Sequence, residues 1–244
     1  MIDPGVFRSD PVLDAAGDGT FYYYSLQSDL TCDLFESGDG GASWGPEVYA
    51  FGGDKGWMAV DRTGGPGDGH IYGMWSPVGG CCNPDMFNRS TDGGAGFEAP
   101  VAIAGNPRRG VTAVGPAGEV YVTGHLASST SQFLIAKSTT VQDAGAGLAF
   151  DFTAAVDLGG ALARSAGPNP AGLLGQVWVA AGPPASAGVS EGPSPVYVLA
   201  SVNPPGADPL DVHFARSFDG GATFEPPVRI NDDPAGQASI PWKR

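Results

Sequence analysis

Three stretches decide the fold: SGDGGASW at residues 37–44, STDGGAGF at 90–97 and SFDGGATF at 217–224. Each places a Ser first, an Asp two positions on, a Gly two after that, and an aromatic residue five after the Asp. The residues concerned are Ser37, Asp39 and Trp44, then Ser90, Asp92 and Phe97, then Ser217, Asp219 and Phe224. Asp39 and Asp92 lie 53 positions apart, and Asp92 and Asp219 lie 127 apart, which leaves room for two further units if one copy has decayed. KSTTVQDAGAGLAFDF at 137–152 fits that decayed copy, with Ser138 kept and the Asp-Gly-Gly lost. Gly-Gly after an Asp permits positive φ in a tight hairpin, and the carboxylate can accept backbone N–H bonds inside that turn. The motif reads as a structural turn whose aromatic packs between neighbouring units.

Working outward, a strand pair precedes each copy: SDPVLDAAGDGTFYYYSL, GWMAVDRTGGPGDGHIYGMWS, GVTAVGPAGEVYVTGHL and LLGQVWVAAGPP…SPVYVLASV, the last with an inserted stretch near 183–195. A third strand ends in the motif and a fourth leaves it, as in FEAPVAIA and FEPPVRIN. Four strands per repeat of this length is the signature of a β-propeller blade. The spacing predicts one all-β domain over 1–244, with blades near 9–52, 53–106, 107–160 and 161–232 and a partial blade strand over 233–244.

The Ser-x-Asp-x-Gly-x-Thr-Trp pattern resembles the Asp box, or BNR repeat, of sialidase-like propellers. That resemblance implies a ring of six blades, of which this chain carries about four. It also implies that the boxes sit on the face opposite the active site, and that the protein is secreted or extracellular. The sequence itself has no apolar leader in MIDPGVFRSDP and no apolar run long enough to span a membrane. Sialidase chemistry carries over poorly. FRSD offers Arg8 at the place of the family's first arginine, and Arg108 or Arg109 with Arg164 would supply the others. No Tyr–Glu nucleophile pair can be placed, because Glu119 falls in a turn and Glu191 in the insertion. True exo-sialidase activity is therefore not expected.

Composition agrees with this architecture. Gly and Pro, 39 and 22 of 244 residues, punctuate short strands, while a 42% hydrophobic share suffices for a core. The net charge of −14 and the lack of any basic run exclude a nucleic-acid or anionic-membrane surface. Three cysteines, Cys32, Cys81 and Cys82, allow at most one disulfide and show no zinc spacing.

In a propeller the blade-to-blade loops and the loops between second and third strands share one face. That face gathers the candidate site. Asp10, His125, Arg108 and Arg109 are expected to be catalytic, and Arg8, Lys55 and Arg164 to bind substrate. Asp54, Asp85, Asp208, Asp211, Asp232 and Asp233 are expected to hold a divalent cation, calcium first, because hard cations favour carboxylate oxygens. The reading is a hydrolase acting, with cation assistance, on an anionic ester or glycoside at the funnel. The alternative is a non-catalytic propeller that binds glycans or protein there. An incomplete ring would leave apolar faces open on its terminal blades, including the side with residues 22–24, and a homo-oligomer is expected to cover them.

Overall fold

FYYYSL, VYVTGH and VYVLASVN are rich in aromatic and β-branched residues and pair in the middle of their sheets; VYVLASVN buries alternate residues, whereas VYVTGH is buried throughout. The structure is a computed structural model describing residues 2, 4–77, 79–163, 175–183, 192–206, 210–232 and 234. Sixteen strands and no helix occur among these residues, arranged as the four blades of a β-propeller. Blade 1 is the antiparallel meander β1 (Ser9–Ala15), β2 (Phe21–Leu26), β3 (Cys32–Ser37) and β4 (Val48–Tyr49). Blade 2 comprises β5 (Trp57–Val60), β6 (Ile71–Met74) and β7 (Phe87–Ser90). Blade 3 comprises β8 (Thr112–Val114), β9 (Val120–His125), β10 (Phe133–Ser138) and β11 (Phe152–Val156). Blade 4 comprises β12 (Ala161–Leu162), β13 (Val177–Ala181), β14 (Val196–Asn203), β15 (Asp211–Ser217) and β16 (Val228–Arg229).

Two blades depart from the expected four strands. In blade 2 the outer strand shrinks to a single bridge, Phe87 to Val101, next to Pro100. Proline cannot donate to a ladder, and the two-residue outer strands β4 and β16 likewise follow prolines, Pro46 and Pro226–Pro227. β11, with no proline before it, keeps five residues. In blade 4 the inner strand is split: β12 and β13 both pair with β14, end to end, on either side of residues 164–174, which lie outside the described residues. The partial strand expected over 233–244 lies there too, apart from Pro234.

The four second strands share one register against the third strands. Tyr22 faces Glu36, Tyr72 faces Arg89, Tyr121 faces Lys137 and Tyr197 faces Arg216, each one residue before the Ser of its box. Alternate residues of each blade therefore point to the preceding and the following blade. Three apolar cores result, between blades 1 and 2 (Val12, Tyr22, Tyr24, Leu34, Met58, Ile71), between 2 and 3 (Tyr72, Met74, Phe87, Val120, Val141), and between 3 and 4 (Tyr121, Ile135, Val177, Val198, Ala215). Among the described residues no such core joins blade 4 to blade 1. Tyr22 and Tyr24 are thus buried inside a seam, and only Tyr23 of that run turns to the open side of blade 1, a correction to the reading of residues 22–24 as one open face.

The boxes close by hydrogen bonds. In the first, the Ser37 hydroxyl donates to Asp39 at 2.9 Å and accepts from the Gly41 N–H at 2.9 Å, while Asp39 accepts from the Ser43 N–H at 2.8 Å. Ser90 with Asp92 and Ser217 with Asp219 repeat the arrangement. Hydrogen bonds from Ser43 and Ser37 hold the Asp39 carboxyl down at about 2; for Asp219, burial pushes upward, but bonds from Thr223 and Ser217 prevail and set it at about 2. Phe97 and Phe224 pack into the seams behind their blades, and so does Phe150 of the decayed box, 4.9 Å from Phe87. Trp44 does not lie between blades; it meets Tyr23 of its own blade edge-on at 6.0 Å.

Where the third box has lost its Asp, Arg89 of blade 2 takes over. It is 1% exposed, and its guanidinium donates to the carbonyls of Val141 (2.7 Å), Asp143 (2.8 Å) and Ala146 (2.6 Å) and to Glu98 (2.7 Å). All three cysteines are free thiols, and burial pushes Cys32 and Cys81 up to about 12.

Candidate functional site

The shared register identifies which inner-strand residues are equivalent. Asp14, Ala59, Ala113 and Ala180 face the four tyrosines. Two positions earlier stand Val12, Trp57, Val111 and Trp178; two earlier again stand Asp10, Lys55, Arg109 and Gln176. These last four, one from each blade, line a single pocket of about 210 Å³ at the mouth of the central channel, with Val12, Trp57 and Gly175 beneath. The channel continues into a cleft of about 510 Å³ walled by β1, β5, β8 and β13.

Three of the four equivalent residues have left-handed backbones: Asp10 at φ 46°, Lys55 at 55° and Arg109 at 53°. Residues with a Cβ adopt that region at a cost of roughly 1–3 kcal/mol each and do so mainly where function or packing demands it. At Arg109 the cause is visible. The next residue, Gly110, lies so close to β9 that a Cβ on it would sit 1.6 Å from the Thr123 carbonyl oxygen, and Arg108 bridges to His125 just before. The Arg109 N–H donates to Ser76 Oγ at 3.0 Å and its carbonyl accepts from Val177 at 2.8 Å, tying blade 3 to blades 2 and 4. A bulge between Ser9 and Val12 sets Asp10 in the corresponding place.

The pocket carries two cations and one carboxylate, and Lys55 Nζ stands 3.4 Å from Asp10 Oδ2 with both side chains about one third exposed. In a chain of net charge −14, two cationic residues thus stand with one carboxylate among the described residues lining this concave site. Below it Trp57 and Trp178 meet edge-to-face, 4.8 Å between centroids, and Trp178 is 44% exposed.

Of the residues named from sequence, the structure brings Asp10, Lys55 and Arg109 together. The others are placed elsewhere. Arg8 binds buried Asp33 at 2.6 Å and lies over the Phe35 ring on the open side of blade 1. His125 is 3% exposed, with Nδ1 2.8 Å from the Leu126 carbonyl oxygen, and does not line the pocket. Arg108 serves the blade 3 inner strand through its backbone and does not line the pocket. Asp211 is 3% exposed and engaged by Arg229 (2.5 Å) and Asn231 (2.7 Å) in an internal ion pair. Asp54 and Asp85 are half-buried and Asp232 is exposed, and no three His, Cys, Asp or Glu side chains among the described residues are grouped to hold a metal. Arg164, Asp208 and Asp233 lie outside the described residues. Sequence reasoning missed Gln176, Trp57 and Trp178. Their equivalence follows from strand register, since Trp57 and Trp178 lie two positions, and Gln176 four, before the residue paired with the second-strand tyrosine, and the unequal inner turns hide that spacing in the sequence.

No family model matches the chain, and no curated protein matches it in sequence. Solved structures do share its fold. A protein of unknown function from Dyadobacter fermentans is 16% identical with a TM-score of 0.52, covering 93% of this chain and 70% of that one. The α-L-arabinofuranosidase Arb93A of Fusarium graminearum, solved with an iminosugar inhibitor, is 15% identical with a TM-score of 0.50, covering 93% and 67%. A GH43_12 protein retrieved from the capybara gut metagenome is 12% identical with a TM-score of 0.51, covering 94% of this chain and 42% of its own. At these identities the likeness is one of fold alone, and that fold is an all-β propeller.

Proposed function

We propose that this propeller recognises an anionic saccharide at the mouth of its central channel. The observation that carries the reading is the convergence of Asp10, Lys55, Arg109 and Gln176, one residue per blade, on a pocket floored by tryptophan. Lys55 and Arg109 would neutralise a carboxylate or sulfate on the sugar, with charge-assisted hydrogen bonds roughly twice as strong as neutral ones. Asp10 and Gln176 would bond hydroxyl groups, and the Trp57 ring in the pocket wall would offer an apolar surface to a sugar face. A fold shared with an α-L-arabinofuranosidase supports the carbohydrate class.

Cleavage is the second reading, favoured by the strained backbone at Asp10. A glycosidase needs a pair of carboxyl groups astride the bond. Asp10 is the one carboxylate among the described residues lining the pocket, so it would act as base or nucleophile with a partner carboxyl still to be identified. The sialidase-like kinship itself rests on the box geometry. A divalent cation rests on the acidic composition alone, and would show as a melting temperature lowered by chelator.

The test is a tryptophan-fluorescence titration with matched oligosaccharides, glucuronate-containing and neutral, followed by assay for new reducing ends. Saturable binding of the acidic series alone supports recognition, and new reducing ends that vanish in Asp10→Asn would add cleavage. Equal response to both series, or none to either, would refute the reading.

A further inference from the structure

Ser76 stands just beyond β6, four residues after the blade 2 tyrosine, as His125 stands four after that of blade 3. Both use the main chain alike. The Ser76 N–H donates to the Asp54 carbonyl at 2.9 Å and the His125 N–H to the Arg108 carbonyl at 2.9 Å, so each holds the residue before a pocket cation. Their side chains differ. His125 turns Nδ1 to the Leu126 carbonyl of its own blade, whereas Ser76, 4% exposed, accepts the Arg109 N–H of the next blade on Oγ at 3.0 Å. The corresponding residue of blade 1 is Leu26, whose side chain has no acceptor to offer Lys55.

A continuous relay results. Lys55 follows Asp54, Ser76 holds Asp54 and Arg109, and the Arg109 carbonyl accepts the Val177 N–H at 2.8 Å, next to Gln176. Three of the four pocket residues are thereby fixed to one another across blades 2, 3 and 4. Lys55 at φ 55° and Arg109 at 53° need such support, because a left-handed backbone persists where its surroundings over-determine it. Two like charges at one mouth also repel, so they spread apart unless the chain that carries them is anchored. On the blade 2 side the anchor is firm. A Cβ on Gly53 would lie 2.6 Å from Trp75 Cδ1 and 2.9 Å from the Ser76 carbonyl oxygen, and the Cys81 N–H donates to the Gly52 carbonyl at 3.2 Å.

Resting on the saccharide reading of the pocket, we infer that Ser76 is the positioning residue for its anion selectivity. Ser76 does not line the pocket; its hydroxyl sets Arg109 against Lys55 so that both cations meet one acidic group of the ligand. A neutral sugar lacks the group that needs both cations at once, so Ser76 acts on preference more than on binding as a whole.

The test compares wild type with Ser76→Ala and with Ser76→Cys, whose sulfur is a weak acceptor, so that one loss variant remains if the other does not fold. Each is titrated calorimetrically with a glucuronate oligosaccharide and its neutral counterpart, and its amide hydrogen exchange is followed without ligand. The folded variants should bind the acidic ligand about tenfold more weakly and the neutral one within about twofold of wild type. Exchange should quicken at Arg109 and also at Val177, whose amide bonds Arg109 and not Ser76. An acidic preference equal to that of wild type would overturn the assignment. So would equal weakening of both ligands, the mark of a purely structural residue. Failure of the saccharide reading looks different: wild type itself then shows no acidic preference, and exchange alone decides, faster exchange at Val177 supporting the relay and unchanged exchange overturning it.

Discussion

At the scale of single residues, the seam between blades 2 and 3 hangs on a guanidinium. Arg89 gathers four carbonyls of the turn that lost its Asp, those of Val141, Asp143, Ala144 and Ala146, in a site where water cannot replace it. Removing one partner from a buried charged network leaves desolvated acceptors unpaired, so Arg89→Met should destabilise the fold by about 3 kcal/mol in urea denaturation. The intact boxes are exposed and weaker. Asp219→Ala loses three bonds from Thr223 and Ser217 but, after solvent screening, should cost only about 1 kcal/mol. Their pH dependence has a definite sign. The folded values near 2 lie below the ordinary 3.8, so Asp39 and Asp219 stabilise above about pH 4 and lose that contribution as pH falls toward 2. Denaturation midpoints at pH 5, 3 and 2 check it, and Asp219→Asn should flatten the part due to Asp219. Nothing in the sequence singled out Arg89, because Glu36, Lys137 and Arg216 occupy the same position in the other blades.

At the scale of elements, the meanders were legible and their ends were not. The box spacing and the aromatic second strands locate every blade, since both record local backbone chemistry. Loss of the outer strand in blade 2 follows from Pro100, but that same proline-rich exit still leaves two paired residues in blade 4, so sequence alone does not say how much ladder survives. The site was half legible for a related reason. Asp10, Lys55 and Arg109 are visible as charges at blade entries, whereas their left-handed backbones arise from tertiary approach of strands. Gly110 shows this most sharply. Gly110→Ala must move either the blade 3 inner strand or β9, and is expected to cost about 3 kcal/mol in thermal or urea melts. It should also weaken saccharide binding by displacing Arg109.

At the scale of the molecule, the described residues form four blades that bury three seams, while their inner strands converge on one pocket. The chain is acidic as a whole while Lys55 and Arg109 line the pocket, which makes the account sharply testable. An acidic ligand should reach the pocket more easily as salt screens the −14 background, yet be held there by Lys55 and Arg109. The most direct measurement is calorimetric titration of a glucuronate oligosaccharide and its neutral counterpart into the wild type and the Lys55→Glu/Arg109→Glu double variant. The account predicts that the wild type prefers the acidic ligand at least about tenfold, a difference of about 1.4 kcal/mol, and that the double variant loses or reverses that preference while melting as a folded protein. An acidic preference that survives the double substitution would contradict it.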